Sequence, residues 1–271
     1  MQGANVAEML RIPDVDPMDA RALLRAALGV SDAHLVAHPG RALTGAQRDR
    51  YRAWIERRRA GEPVAYLTGE REFHSLAFKV TPAVLIPRPE TETLVEAALE
   101  RVPAEAPRRV LELATGSGCV AVVIALQRPR ARVTATDASS AALDVARENA
   151  ARHGADIEIV DSDWFAALAG RRFHLIVCNP PYVAERDPHL HEGDLRFEPG
   201  AALFGGADGL SCIRLIVAQS RAHLEPGGAL LIEHGYDQGA RCRALLEQAG
   251  FREVASRRDL SGIERVSWGR V

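Results

Sequence analysis

The run Arg109-Val110-Leu111-Glu112-Leu113-Ala114-Thr115-Gly116-Ser117-Gly118-Cys119-Val120 passes from an apolar strand through a glycine turn into an apolar helix. Outward from it the pattern repeats. Residues 131–137 read as a strand and 141–153 as a helix; 157–160 and 173–178 are further strands. A helix over 210–224, a strand over 229–233 and a helix over 239–249 follow. Strand-helix alternation of this kind specifies an α/β fold, an open and mostly parallel sheet with helices on both faces. The last two strands, 251–257 and 264–270, are joined by a short connection around Gly262. They are predicted to be antiparallel neighbours, because a parallel pair needs a crossover of a dozen residues or more.

Residues 1–63 have a different character. Leu23, Leu24, Ala27 and Leu28 recur at helical spacing before Gly29, and Thr44 is placed to cap a helix running past Trp54 and Ile55 to Gly61-Glu62-Pro63. A small helical domain is expected there. Over 64–90, Val64, Tyr66 and Leu67, then Phe73, Leu76, Phe78 and Val80, flank Gly69-Glu70. This predicts a β-hairpin that bridges two domains, followed by a linker stiffened by Pro82, Pro87 and Pro89. The main domain then covers 91–271.

Composition narrows the function. The 271 residues are 47% hydrophobic, enough for a globular core, and 34 basic against 36 acidic side chains leave a formal net charge of −2. A net-basic surface that grips nucleic acid without sequence preference is therefore absent. No apolar run is long enough for a membrane span, and the first residues lack a basic-then-apolar leader. Cys119, Cys178, Cys212 and Cys242 form no C-x-x-C pair and fit reduced thiols of a cytoplasmic protein; no metal site is expected. His189-Leu190-His191 reads as solvated loop histidines, and Arg57-Arg58-Arg59 as a solvated helix end.

In open α/β sheets ligands sit beyond the carboxyl ends of the strands, so the residues after each strand carry the chemistry. Gly116 and Gly118 permit a tight turn and close approach of a ligand, and the next helix start offers free N–H groups. Asp137 ends the second strand, where a carboxylate can accept both hydroxyls of a ribose; capping of the following helix by Asp137 or Ser139 is the plainer alternative. Gly116 to Ala121 also satisfies the dinucleotide fingerprint, which keeps a nicotinamide-dependent oxidoreductase in view. Glu112, placed to bind an amino group, and the next motif argue against that reading.

Asn179-Pro180-Pro181-Tyr182 follows the fourth strand. The two prolines fix the chain and leave carbonyl acceptors, Asn179 adds an amide oxygen, and Tyr182 adds a ring face. Such a clamp grips both hydrogens of a planar –NH2 group and aims its nitrogen at an electrophile. An amide nitrogen is a poor nucleophile, and acceptors that strengthen as positive charge develops stabilise the transition state over the ground state. Presentation in line with a methyl sulfonium supplies the rest.

These motifs resemble the release factor glutamine methyltransferases, the PrmC/HemK family of protein-glutamine N5-methyltransferases. The resemblance rests on Pro87-Arg88-Pro89-Glu90-Thr91-Glu92, Thr115-Gly116-Ser117-Gly118-Cys119, Asp137, Asp163-Trp164-Phe165 and Asn179-Pro180-Pro181-Tyr182. Glu198-Pro199, Gly205 to Leu210, Pro226-Gly227-Gly228, Glu233 to Gly239 and Asp259 to Val266 also match. It implies a Rossmann-like, S-adenosylmethionine-dependent methyltransferase fold with a seven-stranded sheet. It implies as substrate the glutamine of the Gly-Gly-Gln motif in class 1 peptide-chain release factors, with the helical head helping to dock the factor. By the same resemblance Ala114, Thr115, Gly116, Ser117, Gly118, Asp137, Trp164 and Asn179 would hold the cofactor, with Asp137 on the ribose and Trp164 near the adenine. Asn179, Pro180, Pro181 and Tyr182 would hold the glutamine, with Asn179, Pro180 and Tyr182 acting in catalysis. Arg88 and Glu90 could close over cofactor or glutamine, or merely stiffen a helix entry. The long connection 183–207 could shape the glutamine channel.

One departure stands in the turn, where the family reads Asp-Leu-Gly and this chain reads Glu112-Leu113-Ala114. Ala114 is expected to adopt an ordinary backbone angle, since a Cβ is costly at positive φ. Competing functions are an amino-methyltransferase acting on nucleic-acid adenine, which requires a basic groove, or on another protein amide, and a non-catalytic adaptor of the translation machinery.

Overall fold

A computed structural model describes residues 5–188 and 193–271, which form two compact units. The first runs to Glu70 and includes the described residues of 191–197. Its helices are α1 (Val6–Met9), α2 (Pro17–Leu28), α3 (Asp32–Ala37), α4 (Gly45–Arg59) and α5 (Val64–Thr68). Asp16 caps α2 by accepting from the Met18 N–H at 2.7 Å, with Pro17 preset in the first turn. Thr44 and Gln47 form a reciprocal capping box on α4. Leu23, Leu24, Tyr51, Ile55 and Leu67 make the core of this unit, and the buried Tyr51 hydroxyl donates to the Met9 carbonyl at 3.0 Å. The Arg57–Arg59 run is more engaged than a solvated end: Arg58 pairs with Asp19 at 2.7 Å and with Asp194 at 2.9 Å.

The expectation of a strand at Val64, Tyr66 and Leu67 is corrected. These residues form α5, started by Pro63 and ended by Gly69 in the left-handed region, with Ala65, Tyr66 and Leu67 buried. Gly69 is thus a helix stop, and the hairpin lies later, between β1 (Glu70–Phe73) and β2 (Leu76–Lys79). His74 and Ser75 turn it with φ of 52° and 62°, the paired positive angles that match strand twist, and Glu92 Oε1 accepts from the His74 N–H at 2.8 Å.

The second unit is built on seven strands: β3 (Arg109–Leu113), β4 (Arg132–Asp137), β5 (Ile157–Asp161), β6 (Phe173–Cys178), β7 (Leu224–Glu233), β8 (Arg252–Arg258) and β9 (Glu264–Arg270). Their order is β5-β4-β3-β6-β7-β9-β8. The first five in that order pair in parallel, and β9 runs antiparallel to both β7 and β8. The helices are α6 (Glu92–Arg101), α7 (Cys119–Gln127), α8 (Ser140–His153), α9 (Ser211–Ser220) and α10 (Gly239–Gln248). One apolar layer gathers Leu94, Val95, Val120 and Ile124 with one face of the sheet. The opposite layer gathers Ile213, Ile216, Val217 and Leu246 with the other. Both faces of β3 and β6 are covered, which is why those segments are mainly apolar apart from Arg109, Glu112 and His174. The strand order reverses at β3, so the crevice for a ligand opens beyond the carboxyl ends of β3, β4 and β6. No helix among the described residues is long and apolar enough to cross a membrane.

Candidate active site

The turn after β3 is held from below and from the side. Glu112 is buried and accepts from the Thr115 hydroxyl at 2.5 Å and from the Ala121 N–H at 3.0 Å. Burial pushes its carboxyl up to about 8, against the pull of those two donors. Asp137, at the tip of β4, accepts from the Gly116 N–H at 2.9 Å and from the Ser139 N–H at 2.9 Å. Ser139, not Asp137, caps α8 through the Ala142 N–H.

The two glycines do different work. Gly116 has φ +54° and its missing Cβ would meet nothing within 4 Å, so its backbone borders open space. Gly118 has φ +78°, and a Cβ there would lie 3.1 Å from the Ala146 Cβ; it lets α7 pack against α8. Ala114 has φ +53°, which corrects the expectation of an ordinary angle. The turn imposes the left-handed conformation whichever residue occupies it, and the alanine bears the strain. Trp164 is held likewise at φ +49°, its carbonyl accepting from the Ser162 hydroxyl at 2.9 Å.

A cavity of about 330 Å³ opens at this crevice, within the usual range of ligand pockets. Its wall includes Glu112, Ala114, Thr115, Gly116, Ser117, Asp137, Trp164 and, from the two motifs, Arg88, Asn179 and Pro181. Gly118, Glu90, Pro180 and Tyr182 are not in that wall. Arg88 is engaged by the fully buried Glu198 side chain, which also accepts from the Ile86 N–H at 3.1 Å. This clasp joins the proline-rich segment to Glu198-Pro199, and Pro199, Ala201 and Ala202 complete the wall. The connection 183–207 therefore shapes this cavity, at least over its last part. His189 and His191 lie outside the described residues.

Asn179 Nδ2 donates to Thr91 Oγ1 at 3.2 Å, which leaves Oδ1 as the acceptor. Pro180 is buried, and the Tyr182 carbonyl accepts from Gln238 Nε2 at 2.9 Å. A Cβ on Gly209 would sit 2.4 Å from that carbonyl, so only glycine lets this loop back onto the clamp. The Tyr182 hydroxyl donates to Glu233 Oε1 at 3.4 Å. Thr91, Glu198, Gln238 and Glu233 are the residues that motif reading passed over as chemistry. Their only signal was membership in the matching segments 87–92, 198–199 and 233–239. Cys119 and Cys178 are buried, and burial pushes the Cys119 thiol up to about 12; both are core side chains with inert sulfur.

The open backbone at Gly116 and the carboxylate of Asp137 fit a ribose-bearing ligand. Each Asp137 oxygen keeps acceptor capacity after its one backbone N–H, and the wall is largely apolar around it. Fold and cavity fit a ribose-bearing ligand, and comparison with known proteins gives the class, an S-adenosylmethionine-dependent methyltransferase. A family model described as Methyltransferase small domain matches residues 91–193, and one described as PrmC N-terminal domain matches residues 10–69. Among solved structures the fold is shared with the hMettl16 catalytic domain, TM-score 0.59 at 13% identity, covering 82% of this chain and 79% of that one. It is shared also with the T. thermophilus 16S rRNA N2 G1207 methyltransferase in complex with AdoMet and guanosine, TM-score 0.55 at 21% identity, covering 74% and 49%.

Sequence relatives are far nearer. The release factor glutamine methyltransferase of Burkholderia pseudomallei is 55% identical over 99% of this chain and 96% of that protein. Its namesake in Escherichia coli is 47% identical over 93% and 91%. The chain belongs to the release factor glutamine methyltransferase family.

Proposed function

We propose that this chain transfers a methyl group from S-adenosylmethionine to the side-chain amide nitrogen of the glutamine in the Gly-Gly-Gln motif of class 1 peptide-chain release factors. The observation that carries this reading is the position of Asn179 and Pro181 in the wall of the cavity bordered by Gly116 and Asp137. An amide clamp thus adjoins a nucleoside-type crevice. The high identity to relatives named for this activity supports the same substrate over nucleic-acid adenine.

Residues 114–117 and Asp137 would hold the cofactor, with Asp137 on the ribose hydroxyls and Trp164 beside the adenine, while Gly118 lets the turn pack against α8. Bound there, S-adenosylmethionine supplies a methyl carbon made electrophilic by its sulfonium. Asn179 Oδ1, freed by donation of Nδ2 to Thr91, accepts from the substrate –NH2. With the rigid Pro180-Pro181 backbone, it fixes the nitrogen and opposes rotation. Transfer would form one N–C bond and break one S–C bond, releasing the neutral thioether of S-adenosylhomocysteine, and one amide proton would pass to solvent water. Acceptors on the nitrogen gain strength as its positive charge develops, so they lower the barrier more than they strengthen binding. Tyr182 packs behind this clamp and holds its far end, and the Arg88–Glu198 clasp keeps the cavity wall closed. The helical unit docks the release factor, and the cytoplasm, where that factor works, is the assigned location.

The test is methyl transfer from labelled S-adenosylmethionine to purified release factor, wild type against Gln→Ala in Gly-Gly-Gln. Label on the wild-type factor alone is expected. Equal label on both would refute the glutamine assignment.

A further inference from the structure

Glu233 ends β7 behind the Asn179-Tyr182 clamp with 1% of its surface exposed. Among the described residues it has no cationic hydrogen-bond partner: the Tyr182 hydroxyl donates to its Oε1, and Oε2 has no partner. The Thr91 hydroxyl interacts with the same carboxyl and favours its charged form. A buried carboxyl with so little compensation destabilises a fold, and an apolar residue would pack there at lower cost. Its surroundings give it a use.

Thr91 is also buried, and its Oγ1 already accepts from Asn179 Nδ2. A threonine hydroxyl has one proton, so Thr91 must direct that proton to an acceptor. An ionised carboxylate only accepts. Asn179 Nδ2 donates to Thr91 and Tyr182 donates to Glu233; with Glu233 as the acceptor of the Thr91 proton, every bond would run one way. The Asn179 amide is then locked with Oδ1 free. If the terminal group could donate, Thr91 could turn its proton to Asn179 Oδ1, and the amide could rotate to present –NH2. Two –NH2 groups would then face each other, and the clamp would repel the amide it holds.

We propose that Glu233 is a positioning residue for methyl transfer: as an acceptor-only carboxylate it fixes, through Thr91, the Asn179 side chain with its amide oxygen toward the substrate nitrogen. This rests on the function proposed above and extends it to a residue that does not touch the substrate.

The ionisation of Glu233 then governs the rate. Burial pushes its carboxyl up to about 7, and the negative charge of Glu90 adds to this; the Thr91 and Tyr182 hydroxyls and the charge of Arg265 oppose it. Cys119 and Cys178 also face it, with thiols raised far above neutrality. Rising pH ionises Glu233, so the wild-type rate climbs through a pH of about 7.

The test uses the full chain, S-adenosylmethionine and release factor. Glu233→Gln keeps the shape but can donate. It is expected to lower kcat by about tenfold or more at pH 8, leave cofactor Kd within about twofold, and abolish the rising limb near neutrality. Because a buried substitution can impair folding, a second pair reads the same chain at Thr91. Thr91→Val should lose a similar factor in kcat, and Thr91→Ser, which restores the hydroxyl, should recover most of it. The proposal is overturned if Glu233→Gln folds and keeps kcat and its pH profile, or if Thr91→Val and Thr91→Ser behave alike. The wild-type rate in the same assay reports on the glutamine activity by itself, so either result would leave that activity standing.

Discussion

The carboxylate of Asp137 accepts the backbone N–H of Gly116 at 2.9 Å, so the tip of one strand holds the turn that follows its neighbour. The same carboxylate faces the cavity. One side chain therefore shapes the cradle and supplies acceptors to what lies in it. Asp137→Ala is expected to weaken S-adenosylmethionine binding by about ten- to a hundredfold, as loss of hydrogen bonds to a charged group implies. It should also lower the thermal midpoint, because the Gly116 N–H loses its partner. Calorimetric titration of the folded variant decides this. A Kd within threefold of wild type would remove Asp137 from the cofactor site.

Ala114 and Gly118 sit in one turn at positive φ but differ in what surrounds them. At Ala114 the cost is backbone strain of about 1–2 kcal/mol, partly offset by the lower unfolded-state entropy of alanine. Ala114→Gly should therefore raise the thermal midpoint by a few degrees, with little change in cofactor affinity. Gly118→Ala adds a Cβ 3.1 Å from that of Ala146 to a backbone at φ +78°, and should destabilise by about 2 kcal/mol or more. Thermal scans of the two variants should move in opposite directions. A lower midpoint for Ala114→Gly would contradict the strained turn.

Glu112 makes stability depend on pH. Its folded value, about 8, lies above the ordinary value of 4.5 because burial disfavours the charge. The folded state then holds a proton that the unfolded chain releases. That contribution is complete below pH 4.5 and is lost as pH rises through about 8. Glu233 contributes with the same sign up to about 7. Glu112→Gln, which keeps an acceptor for the Thr115 hydroxyl and the Ala121 N–H, should flatten the fall in thermal midpoint between pH 5 and 8. An unchanged slope in the variant would show that Glu112 is ionised in the fold throughout.

Much of the sheet could be read directly because β3, β4 and β6 are buried along most of their length, β3 and β6 are mainly apolar, and short strands alternate with helices. The clamp at 179–182 and the glycine turn were legible because each is contiguous in sequence and follows a strand. Other features depend on partners distant in the chain. Val64-Ala65-Tyr66-Leu67 is too short for periodicity to separate strand from helix, and its burial in the helical unit decided the matter. The hairpin turn at His74-Ser75 lacks the Asn-Gly chemistry that announces such turns. The angle at Ala114 is set by the turn, not by alanine. Glu198 reaches Ile86 and Arg88, Thr91 reaches Asn179, and Glu233 reaches Tyr182 across at least 51 residues, and no local pattern reports such pairs.

The amide clamp itself is tested most directly by Asn179→Ala, with kcat for release-factor methylation and Kd for S-adenosylmethionine measured on the same preparation. Removing an acceptor that strengthens as charge develops should cost about a hundredfold or more in kcat, with Kd changed by no more than a few fold. A variant that methylates the factor at the wild-type rate, or that loses only cofactor affinity, would contradict the clamp.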